Sequence, residues 1–100
     1  MFQKLEAVEK KYEELTKKIA DPEIISRTSE WTTYMKEHAE IEEVVLKYKE
    51  YKKTQEDLKE AEEMLRDPEM KELAEEEAKS AREKLPKLEE ELKILLIPKD

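Results

Sequence analysis

Apolar residues recur at every third or fourth position along most of the chain, which is the spacing of one face of an α-helix. Three segments carry this pattern, over about residues 2–20, 29–66 and 68–97. The first segment has steps of three or four between its apolar positions, which are Phe2, Leu5, Val8, Tyr12, Leu15 and Ile19. The sequence therefore predicts three amphipathic helices.

The second segment is long and contains neither proline nor glycine. Its predicted buried stripe consists of Trp31, Tyr34, Met35, His38, Ile41, Val44, Val45, Tyr48, Tyr51, Gln55, Leu58, Ala61, Glu62 and Leu65. At 1.5 Å per residue such a helix is roughly 55 Å long, which exceeds a compact single core. It therefore needs other helices packed along it, as in a coiled coil.

The third segment has a seam of small and then larger apolar residues: Met70, Ala74, Ala78, Ala81, Leu85, Leu88, Leu92 and Leu95. From Ala74 onward the steps alternate between four and three, which is a heptad repeat. Pro86 lies inside this seam. Because proline removes a backbone hydrogen bond, we expect the helix to be kinked or broken near Pro86.

Two similar tripeptides, Asp21-Pro22-Glu23 and Asp67-Pro68-Glu69, separate the segments. In each, the aspartate can accept a backbone N–H bond, and proline fits the first position of a helix. Each tripeptide is predicted to close one helix and open the next. Residues 21–27 are predicted to form a connector with one short turn at Pro22–Ile25.

Short connectors make successive helices antiparallel neighbours. The predicted fold is all-α, an elongated antiparallel three-helix bundle or coiled coil with a long central helix. We expect one helical domain over residues 1–97. The four consecutive apolar residues 94–97 cannot all face one seam, so residues 98–100 are expected to begin a linker to further domains.

Composition narrows the function classes. The chain has 100 residues, a net charge of −8, and neither glycine nor cysteine. It therefore has no glycine-rich phosphate loop, no disulfide and no thiolate metal site. The longest apolar run has four residues, too short to span a membrane, and the net negative charge repels nucleic-acid phosphates. We interpret the chain as a cytoplasmic protein that binds neither membranes nor specific nucleic-acid sequences.

His38 is the single histidine, and with Glu42 one turn later it could supply two ligands to a metal ion. Two ligands are too few for a site, so a half-buried seam histidine is the favoured interpretation. The carboxylate runs at 75–77 and 89–91 are interpreted as solvated helix faces. No catalytic, cofactor-binding or metal-binding residue is predicted, and no enzyme activity.

Residues 47–53 interleave lysines with tyrosines, as RNA-binding surfaces can. Helical phase places Tyr48 and Tyr51 in the seam and Lys49 and Lys53 on the outer face, which favours a charged shoulder around core tyrosines. Leu46 lies off the seam and is expected to be exposed. Leu46, Lys49 and Lys53 are the candidate partner-binding residues.

Several motifs, taken in order, resemble the amino-terminal domain of the bacterial peptide chain release factor 1 family, which is a class I release factor family. They are Met-Phe-x-Lys-Leu-Glu-x-Val-Glu-x-x-Tyr-Glu-Glu-Leu at 1–15, Asp-Pro-Glu-Ile-Ile at 21–25, and Glu-Ile-Glu, Val-Val and Tyr-Lys-Glu-Tyr-Lys within 40–52. Asp-Pro-Glu-Met and Leu-Ala-Glu-Glu-Glu within 67–77 and Leu-Leu-Ile-Pro-Lys-Asp at 95–100 complete the set. The resemblance covers the whole chain. Small departures lie at Thr28-Ser29, Leu46 and Pro86.

The resemblance implies a role in translation termination. Members of this family read the stop codons UAA and UAG and trigger peptidyl-tRNA hydrolysis through a Pro-x-Thr and a Gly-Gly-Gln motif. Neither motif occurs in this chain. In the family the first domain reaches toward the base of the ribosomal stalk and is linked to the class II release factor GTPase. The resemblance therefore implies these two partners. We separately expect the chain itself to be a monomer or weak dimer.

Two hypotheses from other classes stay open at this point. The chain could be a stand-alone coiled-coil scaffold or dimerisation module, which a concentration-dependent mass in ultracentrifugation would reveal. A ferritin-like or other metal-binding enzyme would instead be revealed by metal bound after purification.

Overall fold

The computed structural model describes residues 1–98, which are all-α without a β-strand. The helices are α1 (Phe2–Ile19), α2 (Pro22–Ile25), α3 (Thr28–Met64) and α4 (Lys71–Leu95). The all-α helical-bundle class is thereby confirmed. The chain divides into two compact units, a first unit of Met1–Leu46 and a second unit that begins at Lys47. Within the described residues, each helix is too short or too polar to cross a membrane.

In the first unit, α1 packs antiparallel against the beginning of α3. The Trp31 indole donates a hydrogen bond to the carbonyl of Ile19 at 3.1 Å, next to the connector. Further from the connector, Tyr12 on α1 meets Glu42 on α3. The buried residues of this unit are Leu5, Leu15, Val44 and Val45. They occupy predicted seam positions, so burial of apolar area drives the pairing.

The connector between α1 and α3 contains the predicted short turn. The Asp21 carboxylate accepts the backbone N–H of Glu23 at 2.9 Å, and Pro22 occupies the first helical position of α2. Ser26 Oγ donates to the carbonyl of Glu23 at 2.6 Å. These bonds satisfy backbone groups that a helix end leaves without partners. The short turn at Pro22–Ile25 is thus confirmed.

In the second unit, the end of α3 packs antiparallel against α4. Lys47 and Tyr51 on α3 contact carboxylates near the end of α4, and Glu62 contacts Arg82 nearer its beginning. The buried residues are Tyr48, Tyr51, Thr54, Ala61, Ala74, Ala78, Ala81, Leu88 and Leu92. Because α4 contributes alanine at three of these positions, the two helices can approach closely along its first half.

The beginning and the middle of α4 differ from expectation. The Asp67 carboxylate accepts the N–H of Glu69 at 3.0 Å, but residues 65–70 form turns, and α4 begins at Lys71 rather than at 68. The helix then runs through Pro86 to Leu95 without interruption. The helix is therefore not broken at Pro86, and the expected kink there stays a prediction. The interhelical packing of Ala81 and Leu88 on either side of Pro86 keeps both halves in one helix.

The buried stripe of α3 also departs from expectation. Met35, Gln55 and Glu62 are exposed, whereas Thr54 is only 5% exposed. The Thr54 hydroxyl donates to the carbonyl of Glu50 at 2.8 Å, which satisfies it without water. Threonine can therefore occupy the seam, which a pattern based on apolarity alone does not predict. The predicted linker comprises residues 98–100. Pro98 is exposed, and residues 99 and 100 lie outside the described residues.

Candidate functional site

In the first unit, His38 lies at the centre of a polar cluster between α1 and α3. Its ring stacks on that of Tyr12, with the centroids 4.2 Å apart and the planes at 21°. Its Nε2 lies 2.9 Å from Oγ1 of Thr16. The single Thr16 hydroxyl proton is donated to the Tyr12 carbonyl at 2.8 Å, so Thr16 accepts from His38 Nε2–H. Nδ1 faces Glu42 at 3.9 Å.

This arrangement gives His38 a structural environment. Each ring nitrogen already faces a protein group, and the side chain is half-buried, as the seam interpretation predicts. Among residues 1–98, no group of three or more histidine or carboxylate side chains is placed to hold a metal ion. His38 is therefore accounted for by packing and hydrogen bonding to α1.

Each unit contains a tyrosine that donates to a glutamate of the facing helix. Tyr12 OH donates to Glu42 at 3.3 Å, and burial together with the Glu42 carboxylate raises the pKa of Tyr12. Tyr51 OH donates to Glu89 at 2.7 Å. Burial, followed by the bond to Glu89, raises the pKa of Tyr51 to about 12. A phenol next to a carboxylate keeps its proton because ionisation would place two negative charges together.

The run 89–91 is thus not wholly the solvated face that the sequence predicts. Glu89 accepts from Tyr51, and Glu91 lies 2.8 Å from the ammonium of Lys47. The bond to Glu91 raises the pKa of Lys47, and this effect outweighs burial, which lowers it. Sequence reasoning missed these pairs because they depend on the register between α3 and α4. The available signal was a seam tyrosine on one helix and a carboxylate run on its neighbour.

The lysines of the stretch 47–53 have partners within the second unit. The Lys52 ammonium lies 4.6 Å from the centroid of the Tyr48 ring, and Lys53 lies 2.9 Å from Asp57, which raises the pKa of Lys53. Tyr48 and Tyr51 are each only 4% exposed, so their rings are not available for base stacking. These contacts favour the interpretation of a charged shoulder around core tyrosines over an RNA surface.

The three candidate partner-binding residues are all exposed on α3. Leu46 is 54% exposed and is the last residue of the first unit. Lys49 and Lys53 lie one helical turn apart in the second unit, and Lys53 already pairs with Asp57. Their exposure is compatible with contact to another molecule, and their role in binding stays a prediction.

The fold and these contacts define a small, acidic, all-helical module with buried apolar seams and with tyrosine–glutamate and lysine–glutamate contacts between its helices. Comparison with known proteins shows the family to which this module belongs. The PCRF domain family matches residues 8–100, and the chain belongs to this family.

Individual relatives agree with this assignment. The chain is 50% identical over 103 residues to peptide chain release factor 1 of Clostridium acetobutylicum and to that of Carboxydothermus hydrogenoformans. It is 49% identical over 104 residues to peptide chain release factor 1 of Alkaliphilus oremlandii. Each alignment covers 100% of this chain but 29% of the relative. The resemblance to release factor 1 is confirmed, and no solved structure matches the chain.

Proposed function

We propose that this chain serves as the amino-terminal domain of a peptide chain release factor that acts in translation termination at the codons UAA and UAG. The observation that carries the proposal is an identity of 49–50% to release factor 1 proteins along the entire chain. A cytoplasmic location, where ribosomes work, follows from the same proposal.

Within this role the chain acts by contact. It has no glycine and thus no Gly-Gly-Gln, and none of its four prolines is followed two positions later by threonine. Codon reading and peptidyl-tRNA hydrolysis would therefore be carried by other parts of a release factor. The contribution of these 100 residues would be to bind a protein partner and orient those parts.

The proposed partners are the protein at the base of the ribosomal stalk and the class II release factor GTPase. A net charge of −8 supports a protein surface over ribosomal RNA, because phosphates repel an acidic module. Leu46 supplies exposed apolar area for such a contact, and Lys49 and Lys53 add polar groups near it in sequence. A small interface of this kind gives weak binding in isolation.

A binding experiment tests this proposal. The 100-residue chain is immobilised, and the stalk-base protein, the GTPase and intact ribosomes are passed over it. We expect weak binding that Leu46→Asp reduces, because a buried carboxylate without a partner is unfavourable at an interface. The matched control is Ile94→Asp, since Ile94 is a similarly exposed apolar residue on α4.

The lysines are tested in the same experiment. The double variant Lys49→Glu/Lys53→Glu is expected to weaken binding, and Lys59→Glu, at another exposed position of α3, is the control. Absence of binding to the stalk-base protein, the GTPase and ribosomes alike would contradict the proposed partners.

A further inference from the structure

The second unit has an open groove between α3 and α4. Its lining residues are Thr54, Asp57, Glu60 and Met64 on α3, and Glu77, Ser80, Ala81 and Lys84 on α4. Ser80 and Ala81 leave space on the α4 side, and half-buried Met64 provides apolar surface, whereas Ala81 at the base is only 6% exposed. Carboxylates from both helices form the polar edge together with Lys84, whose ammonium lies 3.7 Å from a carboxylate oxygen of Glu50.

Two of these carboxylates lack an internal ion pair. Asp57 is bound by Lys53, but neither Glu60 nor Glu77 has an ion-pair partner among residues 1–98, and both are exposed. The surrounding sequence reinforces their charge, since residues 56–77 contain eleven acidic and three basic side chains. The groove thus combines an apolar surface with two carboxylates in a strongly negative stretch.

We propose that this groove binds an arginine side chain presented by a basic protein partner. The methylene stem would lie along Met64, and the guanidinium would bind Glu60 and Glu77 at the edge. Arginine suits both requirements, because its stem packs on apolar surface and its planar fork donates to two carboxylate oxygens at once.

An adjacent apolar residue extends the surface. Leu73 is 49% exposed and lies one helical turn before Glu77 on α4. A partner that places an apolar side chain one turn from its arginine would cover Leu73 while filling the groove. The inference deepens the proposed function by naming the chemistry of the partner. It rests on the proposed function only for the identity of the basic protein that is bound in the cell.

The test uses a synthetic twelve-residue helical peptide with one arginine and a leucine four positions away, titrated into the labelled full chain by nuclear magnetic resonance. A second peptide has citrulline, a neutral isostere, in place of arginine. We expect shifts at Met64, Glu77, Ser80 and Ala81 with the arginine peptide, and binding about tenfold weaker with citrulline.

Matched variants separate a specific groove from diffuse attraction. Glu60→Gln/Glu77→Gln is expected to weaken the arginine peptide about tenfold, whereas Glu63→Gln/Glu90→Gln, with the same change in net charge outside the groove, changes it less than about twofold. Ser80→Trp fills the groove without changing charge and is expected to abolish the shifts. Circular dichroism verifies that each variant remains helical.

Three results would overturn the inference. They are equal weakening by both double variants, retained binding in Ser80→Trp, and preferred binding of a twelve-nucleotide oligouridine at the same residues. Because this titration contains no ribosomes, a negative result leaves the release-factor proposal standing. Conversely, a positive titration with inactive ribosome binding would contradict only the proposed function.

Discussion

At the residue scale, the chain uses tyrosines to join helices without leaving buried polar atoms unsatisfied. Tyr12 and Tyr51 each pack a ring against a neighbouring helix and donate their hydroxyl to a glutamate there. Within residues 1–98, no buried side-chain nitrogen or oxygen lacks a hydrogen-bond partner. In a chain with few large apolar residues, such pairs add directional contacts to the seam.

Tyr51 makes a prediction about alkaline pH. Its pKa is raised to about 12, mainly by burial and then by Glu89, so the folded state keeps a proton that the unfolded state loses near pH 10. This contribution to stability is complete below about pH 10 and is lost as pH rises toward about 12. Tyr12 also has a raised pKa, but ultraviolet titration of tyrosinate should show one tyrosine that ionises near pH 12, and Tyr51→Phe should remove that late phase.

The control for this titration is Tyr34→Phe. Tyr34 is half-buried, and its ring faces the Lys18 ammonium at 4.8 Å. Tyr34→Phe should leave the late phase in place. Persistence of the late phase in Tyr51→Phe would contradict the assignment.

At the element scale, the α4 seam determines how closely two helices approach. Ala74 and Ala78 are fully buried where α4 faces α3, and the seam changes to leucine at Leu88 and Leu92. Small residues near the turn and larger ones further along fill a changing space between the helices. The alanines are therefore as important to packing as the leucines.

Ala78→Leu tests this packing. Because Ala78 has no exposed surface, added atoms must displace α3, and we expect the free energy of unfolding to fall by about 1–3 kcal/mol. Lys79→Leu, at the exposed neighbouring position, should change it by less than about 0.5 kcal/mol. Urea unfolding followed by circular dichroism measures both. Equal effects of the two substitutions would contradict the close approach at Ala78.

Pro86 gives a second prediction about α4. Since proline has no N–H to donate to the carbonyl of Arg82 four residues earlier, Pro86→Ala restores a backbone hydrogen bond in a continuous helix. We expect the free energy of unfolding to rise by about 1–3 kcal/mol, measured by thermal or urea unfolding. Lys87→Ala is the neighbouring control and should have little effect. Destabilisation by Pro86→Ala would mean that α4 depends on the proline geometry.

The helices themselves are predictable, because apolar positions three and four residues apart fall on a single face of an α-helix, which can then be buried. The turn at Asp67 was harder to predict than the helices, because the same tripeptide at Asp21 does begin a helix of one turn. The two sites share an aspartate that accepts an N–H two residues later, and they differ in the residues after the glutamate. Local sequence thus predicts the capping bond but not how far the helix extends from it.

The contacts between helices were not predictable to the same degree. Thr54 is buried where the pattern predicted Gln55, because the Thr54 hydroxyl can donate a hydrogen bond within its own helix. A scale of residue apolarity does not include this effect. Pairing of Tyr51 with Glu89 depends on the axial register of α3 against α4. The groove likewise arises only once Glu60 and Glu77, seventeen positions apart in sequence, lie on its two sides.

At the scale of the whole molecule, charge and kinship point to the same kind of function. The chain carries 28 acidic and 20 basic residues, which disfavours direct docking on nucleic acid. It belongs to the PCRF domain family, and it spans 29% of the length of the release factor 1 proteins that it matches. Both observations are consistent with the proposed role in partner contact and positioning.

The most direct test of this account is a chimera. The segment of Clostridium acetobutylicum release factor 1 that matches this chain is replaced by the 100 residues, and the rate of peptide release is measured on ribosomes stopped at UAA or UAG. The control chimera has an unrelated acidic helical hairpin of similar length. The account predicts release close to that of the unaltered factor and faster than that of the control. A folded chimera that releases peptide no faster than the control would contradict it.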